Sequence, residues 1–363
     1  MTASTFDTVR PPAAQPTAQP APPAAPPHLP HLPHLPHLPH LPAVPGHGPW
    51  TSTVPSELVH RAAVAEVMLT DWQRLTETRY TMRAQWPRGH SFFTPLNGNH
   101  DPLIAAETIR QAGALLAHAE FGVPLGHHFL LEELTLTVEP GQLHVGHAPA
   151  DLDLHITCTD ITRHGRRLAA LRYETTLQRH GQPAGHGQIS FSVVTPAVYR
   201  RLRPPHVFTP HHTPIPLTTP TAPHTVGRHS PADVVLTPTP HPHQWQLRTD
   251  TRHPILFDHH VDHIPGMLLI EAARQAATAL LGQPTTQPHH LTTHFTKYAE
   301  LDQPCLINAH PHPHQPHTIH ITGHQNNQPI FTTTLTTTPP TRPTTPTTPT
   351  TPTRPTAASA NSE

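Results

Sequence analysis

The chain has 363 residues, a formal net charge of -1 and only 12% charged residues, which suits two modest domains or one duplicated domain and lacks the basic excess that nucleic acid or an anionic membrane selects. Its two cysteines, Cys158 and Cys305, are far apart and argue against a disulfide framework or a zinc knuckle. No apolar run reaches a membrane-spanning length and the N-terminus lacks the order of a signal peptide, so a cytoplasmic protein is expected, with neither a nucleic-acid nor a membrane partner.

Proline (51) and histidine (38) are far above ordinary usage. Of 22 basic residues one is lysine, Lys297; lysine has only A-rich codons, so the bias reads as that of a GC-rich genome. Residues 1–53 are Pro/Ala-rich with five successive His-Leu-Pro triplets from His28 to Pro42. A polyproline II helix repeats every three residues and would align those histidines, but the composition favours a low-complexity disordered tail over a metal- or adaptor-binding tract. Residues 336–363 form a second, Thr/Pro-rich tail, and 204–223 a Pro-rich linker. Two foldable pieces remain, 54–203 and 224–335.

In the first piece, short alternating segments at 65–70 and 80–85 precede an almost wholly apolar helix over 101–119. Strand patterns follow at 131–138, 151–158, 167–177 and 187–194. The second piece repeats the plan: 233–237, 244–248, a helix over 265–281 bounded by Pro265-Gly266 and Gly282, then strands near 292–298, 305–309, 318–322 and 330–335. The copies share sequence as well. Glu107-x-x-Arg110-Gln111-Ala112 matches Glu271-x-x-Arg274-Gln275-Ala276, and Val59-x-Arg61 matches Val226-x-Arg228, in the same order and at nearly the same offset. A helix apolar on every side belongs inside something. One such helix wrapped by an antiparallel sheet, twice over, gives an α+β double hot-dog in which the two sheets join edge to edge as a pseudo-dimer.

Glu and Arg three apart, with Gln four after Glu, share one helix face, and burying them is costly unless they pair or meet something polar. They either pin the pseudo-dimer in register or line a cleft, with Glu271 and Glu107 as base or positioner and Arg274 and Arg110 as anion binders. The cleft reading is favoured for the second copy. The approach to its helix, Phe257-Asp258-His259-His260-Val261-Asp262-His263-Ile264-Pro265-Gly266, places His259 and His263 as candidate acid–base groups beside a helix start that can hold an oxyanion. In the first copy, Arg88 and His90 are candidate binders of phosphate or a phosphopantetheine arm. Gln111, Gln275 and Gly266 complete the candidate substrate-binding set. His310-x-His312-x-His314 lacks the partners of a specific metal site, no phosphate loop or nucleophile elbow is present, and the cysteines read as buried structural thiols. No metal or cofactor is called for.

The stretches QWPRGHSFF, HDPLIAAETIRQAGALLAH with FGVPLG, FDHHVDHIPGMLLIEAARQAA, and KYAELDQP span most of 59–131 and 226–304. They resemble the A-factor biosynthesis hot-dog proteins of antibiotic-producing actinobacteria. The sequence departs from that family's Asp-His-Pro-Val-Asp-His run by having His260 in place of the proline. The second helix also resembles β-hydroxyacyl-carrier-protein dehydratases, although its histidine-to-Pro-Gly spacing is shorter. The family resemblance implies a γ-butyrolactone autoregulator synthase. Such an enzyme joins a β-ketoacyl group, carried as an acyl-carrier-protein thioester, to a hydroxyl of dihydroxyacetone phosphate, and the ester then cyclises to a butenolide phosphate. On that view Glu271 serves as base or positioner and Arg274 binds phosphate or carbonyl oxygen, with Glu107 and Arg110 as their equivalents across the pseudo-dimer, in a monomer or a homodimer. The alternatives are a hot-dog dehydratase or thioesterase, and a non-catalytic acyl- or lactone-binding regulator.

Overall fold

The computed structural model describes residues 52–209, 213–283 and 287–337; the His-Leu-Pro triplets and nearly all of the Thr/Pro tail lie outside them. In chain order the first half is β1 (Leu69–Arg74), β2 (Arg79–Trp86), α1 (Leu103–Leu115), β3 (His128–Val138), β4 (Ala150–His164), β5 (Arg167–Arg179) and β6 (Gln182–Val194). A short helix α2 (Pro196–Leu202) follows. The second half is β7 (Leu236–Pro238), β8 (Gln244–Leu247), α3 (Gly266–Leu281), β9 (Pro288–Phe295), β10 (Leu306–Pro311), β11 (Thr318–Gln325) and β12 (Gln328–Thr337).

All twelve strands form one sheet in the order β1-β2-β4-β5-β6-β3-β9-β12-β11-β10-β8-β7. Read from either end, the order is the same, so the two copies are related by a pseudo-twofold axis at the β3–β9 seam. There the strands pair antiparallel, with Leu136 opposite Leu291 and Thr135 opposite Thr292. Each half thereby covers an edge that would otherwise be an open template for pairing. This is the double hot-dog expected from the sequence. Among the described residues no helix is long and apolar enough to cross a membrane.

The strands obey a period of two: β2 and the first nine residues of β4 alternate buried positions with more exposed ones. Every residue of α1 except Arg110 is buried, as is α3 from Met267 to Thr278. Burying such a helix removes its Leu and Ile side chains from water, each contributing about 1.5–3 kcal/mol. Tyr173 of β5 is inserted against α1, its hydroxyl donating to the Ile109 carbonyl at 2.7 Å. A Cβ at Gly113 would stand 2.3 Å from that hydroxyl, so only glycine admits the ring there.

Several boundaries differ from the periodicity, and for some the reason lies in the hydrogen bonding of the backbone. Residues 64–66 form a 3-10 turn, and β1 starts late, because Met68 N–H donates to Gln111 Oε1 while Gln111 Nε2 donates to the Glu66 carbonyl. The side chain of α1 replaces a strand partner. Gln275 does the same for Val235 N–H and the Asp233 carbonyl in the second half. At the end of β9, residues 296–298 turn away, as Thr296 and Lys297 N–H both donate to the Ile330 carbonyl. Within the expected linker, residues 213–221 are tied to the second half through Ile215 N–H to Leu301 O and Thr221 N–H to Leu236 O.

Candidate functional site

Each helix carries a carboxylate paired with two arginines. Glu107 accepts from Arg110 Nε and Nη2 at 2.9 and 2.7 Å, from Arg61 Nε at 2.9 Å and from Gln111 Nε2 at 2.8 Å, with Arg61 Nη2 in ion-pair contact at 2.7 Å. Glu271 likewise accepts from Arg274 Nε and Nη2 at 2.9 and 2.6 Å, from Arg228 Nε at 2.8 Å and from Gln275 Nε2 at 2.5 Å, with Arg228 Nη2 in ion-pair contact at 2.7 Å. Burial alone would raise both carboxyls. The paired guanidiniums override it and hold each down at about 2. An ionised carboxylate held between two guanidiniums is a poor proton acceptor and a good anchor for its arginines. The clusters also bridge the halves: Arg61 Nη1 donates to the Ile255 carbonyl at 3.1 Å, and Arg228 Nη1 to the Phe92 carbonyl at 2.6 Å.

The two clusters stand behind very different clefts. Beside Arg110 lies a cavity of about 910 Å³, walled by α1 and by residues 255–267 of the other half. Beside Arg274 the equivalent space is about 20 Å³, room for about one water. Asp101 and Arg228 line the small space. Asp101 stands 3.9 Å from Arg228 while its Oδ1 accepts from Leu103 N–H at 2.9 Å, and Arg228 lies over the Phe92 ring at 4.2 Å. Asp101 therefore both caps the start of α1 and lines the second cleft. Its counterpart, 164 residues on as Glu271 is from Glu107, is Pro265. The start of α3 consequently has no side-chain cap. Its first intrahelical bond is made by Leu268 N–H to the Pro265 carbonyl, and Gly266 and Met267, whose N–H groups precede it, line the cavity.

At the same wall, His263 is held by an acid. Its Nδ1 is 2.8 Å from Asp262 Oδ1, which also accepts from the Tyr199 hydroxyl at 2.6 Å. Burial opposes the charge on Asp262, but these bonds with His263 and Tyr199 keep its carboxyl well below the usual carboxylate range. Arg203 donates to the Asp262 carbonyl at 3.1 Å and to Glu300 at 2.7 Å, and lies 4.3 Å over Tyr298. With Nδ1 engaged by a carboxylate, Nε2 is the nitrogen left for chemistry. Asp258 fastens the same segment to the first half by accepting from Ala62 and Ala63 N–H at 2.5 and 3.1 Å.

Of the residues singled out by sequence, the cavity brings together Arg110, His259, His263 and Gly266. His259 is half exposed, 3.5 Å from Asp258. Glu107 and Gln111 lie directly behind Arg110, off the cavity. Glu271, Arg274 and Gln275 belong to the closed cleft. Arg88 is exposed and donates to the Gly146 carbonyl at 3.0 Å. His90 is buried, accepts through Nδ1 from Phe92 and Phe93 N–H, and stands 3.3 Å from Glu66; neither Arg88 nor His90 reaches the cavity. His253 repeats the His90 arrangement with Ile255, Leu256 and Asp233, which marks both as turn-forming residues. Both cysteines are buried, their thiols pushed up to about 12 by that burial. Sequence reasoning missed Tyr199, Arg203, Arg61 and Arg228. The repeated Val-x-Arg carried the signal for the last two, and Thr195-Pro196 was the start signal of α2, Thr195 Oγ1 accepting from Val198 N–H at 3.3 Å.

A model of the A-factor biosynthesis hotdog domain matches residues 45–195 and again 211–340. The chain is 53% identical over 285 residues, 78% of its length and 96% of the relative's, to a 2-oxo-3-(phosphooxy)propyl 3-oxoalkanoate synthase of Streptomyces virginiae. It is 38% identical to proteins of that same description from Streptomyces coelicolor, over 78% of this chain and 91% of the relative, and from Streptomyces griseus, over 77% and 94%. With the duplicated domain matched in both halves and the relatives covered almost end to end, the chain belongs to the A-factor biosynthesis hotdog family.

Proposed function

We propose that this chain is an acyltransferase that condenses a β-ketoacyl thioester, presented by an acyl carrier protein, with the hydroxyl of dihydroxyacetone phosphate, the entry step to a γ-butyrolactone-type signal. The product named in the description of its Streptomyces relatives is the ester that such a transfer makes. The observation that carries the reading is the open cleft beside Arg110. It has an apolar wall of Phe129, Leu131, Phe191, Met267 and Phe295 for an alkyl chain, and a polar end of Arg110, His259, His263 and the start of α3.

The thioester carbonyl oxygen rests on the N–H groups of Gly266 and Met267, where negative charge develops as the carbon becomes tetrahedral. His263 Nε2, oriented by Asp262, takes the proton of the attacking hydroxyl. The tetrahedral intermediate collapses, the carbon–sulfur bond breaks, and His263 returns that proton to the departing thiolate. Arg110, fixed by Glu107, and His259 bind the phosphate. Glu107, Gln111 and the Glu271–Arg274–Gln275 cluster act as positioning groups that hold the helices against the opposite half. The reaction draws on a carrier-protein thioester and a triose phosphate, and so runs in the cytoplasm where both are made. Incubation with a β-ketoacyl thioester and dihydroxyacetone phosphate should yield a phosphorylated ester and free thiol in equal amounts, and His263→Gln should lower that rate at least 100-fold. Free acid or an enoyl thioester as product would replace this reading with a thioesterase or dehydratase; binding of both substrates without turnover would replace it with a regulator.

A further inference from the structure

At the open cleft stands a pair of histidines that the closed cleft lacks, one lining the cavity and one behind it. His60 lines the cavity, and its Nε2 is 2.7 Å from Nε2 of His118. His118 Nδ1 is in turn 2.7 Å from the Val123 carbonyl. A carbonyl can only accept, so Nδ1 of His118 carries the hydrogen and, in the neutral ring, its Nε2 is an acceptor. His60 must then donate through Nε2, which leaves a bare lone pair on His60 Nδ1. Burial, with Arg110 and His118 nearby, keeps His60 neutral down to about 3, and burial lowers His118 as well. The ring is thus fixed in one tautomer as a hydrogen-bond acceptor. No partner of Nδ1 is found among the described residues.

The backbone makes the pair more telling. His60 is left-handed, φ 55° and ψ 51°, a conformation a non-glycine residue holds at a cost and which concentrates at functional sites. In the second half the corresponding residue of the Val-x-Arg repeat is Gly227, with φ 69° and ψ 30°, the residue that this conformation favours. His118 also has a glycine counterpart: eleven residues beyond Glu107 stands His118, and eleven beyond Glu271 stands Gly282, where α3 ends. Both histidines are therefore present only in the half with a cavity, and one is held where glycine would fit better.

We propose that His60 is a substrate-binding residue whose Nδ1 accepts the hydrogen bond of the acyl acceptor's primary hydroxyl, and that His118 is a positioning residue that sets the His60 tautomer. The inference rests on the acyltransfer reading above and deepens it. A weakly basic acceptor holds the hydroxyl's hydrogen in the ground-state complex without removing it; the O–H then turns so that the same hydrogen reaches the base, His263 Nε2, as an oxygen lone pair attacks the thioester carbon. Arg110, which donates to the Val59 carbonyl at 3.1 Å, is the adjacent cation for the acceptor's phosphate.

The test uses the full chain with a β-ketoacyl thioester and dihydroxyacetone phosphate. His60→Gly should fold with an equal or higher Tm, since it copies Gly227, yet raise KM for dihydroxyacetone phosphate at least tenfold and leave KM for the thioester within twofold. His60→Asn tolerates the left-handed backbone and presents an oxygen near the Nδ1 position, so it should recover much of the loss. His118→Leu should give an intermediate defect that His118→Gln, whose oxygen replaces the Nε2 acceptor, restores. If wild type forms ester and His60→Gly does so with unchanged kinetic constants, the inference is overturned while the acyltransfer reading stands. If wild type forms no ester, the acyltransfer reading itself fails.

Discussion

Replacing Glu271 by glutamine separates an anchor from a reacting group. The side chain is fully buried and takes five contacts of 2.5–2.9 Å from two guanidiniums and an amide. The neutral amide is nearly isosteric, so the packing loss is small. What remains is two buried cations, Arg228 and Arg274, with the Asp101 carboxylate 3.9 Å from Arg228. Leaving one side of a buried ion pair uncompensated costs about 3–5 kcal/mol, which in a chain of this size lowers Tm by roughly 10 °C. Urea unfolding followed by tryptophan fluorescence would read the loss as a lower midpoint at unchanged slope. Below the melting range, turnover per folded molecule should stay within twofold of wild type, because the Glu271 cluster faces the 20 Å³ space rather than the open cavity. A stability loss under about 1 kcal/mol would show that the ion pairs are not the anchor. Unaltered stability with abolished turnover would place the chemistry in the second cleft.

Glu107→Gln should cost the same stability and in addition lower turnover at least tenfold, since Arg110 would lose the group that aims it; purified variant assayed per folded molecule decides this. Both glutamates are held at about 2 when folded, against 4.5 unpaired, so the unfolded chain takes up protons that the folded chain refuses. Their contribution is complete above about 4.5 and is lost as pH falls from there towards about 2, which urea midpoints measured at descending pH should follow. Tyr199→Phe removes the 2.6 Å bond to Asp262. It should lower kcat several-fold while costing about 1 kcal/mol, and circular dichroism melts would separate the two effects. Gly113→Ala places a methyl where the Tyr173 hydroxyl sits. It should cost about 1–3 kcal/mol and displace Tyr173 from the cavity wall, seen as a higher KM for long-chain thioesters.

Much of the architecture is legible in local pattern. The apolar runs around Glu107 and Glu271, the repeated Val-x-Arg, and alternation such as that of β4 depend on residues close in sequence, and period alone separates helix from strand. The beginning of β1 and the end of β9 are not legible this way, because side-chain bonds from Gln111 and backbone bonds to Ile330 come from distant residues. The site is harder still. Tyr199 and Asp262 are 63 residues apart, Arg61 and Ile255 are 194 apart, and no spacing rule connects them. His90 and His263 look alike as histidines near aromatic and Pro-Gly segments, yet one bonds its own turn and the other meets a partly buried carboxylate in the cavity wall.

The Glu-x-x-Arg-Gln-Ala repeat by itself determined that the chain is a duplicated α+β fold with a polar seam on each central helix. It also pointed to both Glu–Arg–Gln groups, but treated them as related members of one set with the second favoured. Only the tertiary structure decided between the clefts. Each cleft is built from the helix of one half and the loop of the other, so its fate depends on what the opposite half contributes. Asp101 pairs with Arg228 in one space, whereas the side chain of Pro265 cannot cap a helix, and the start of α3 is left facing the cavity with donors to offer.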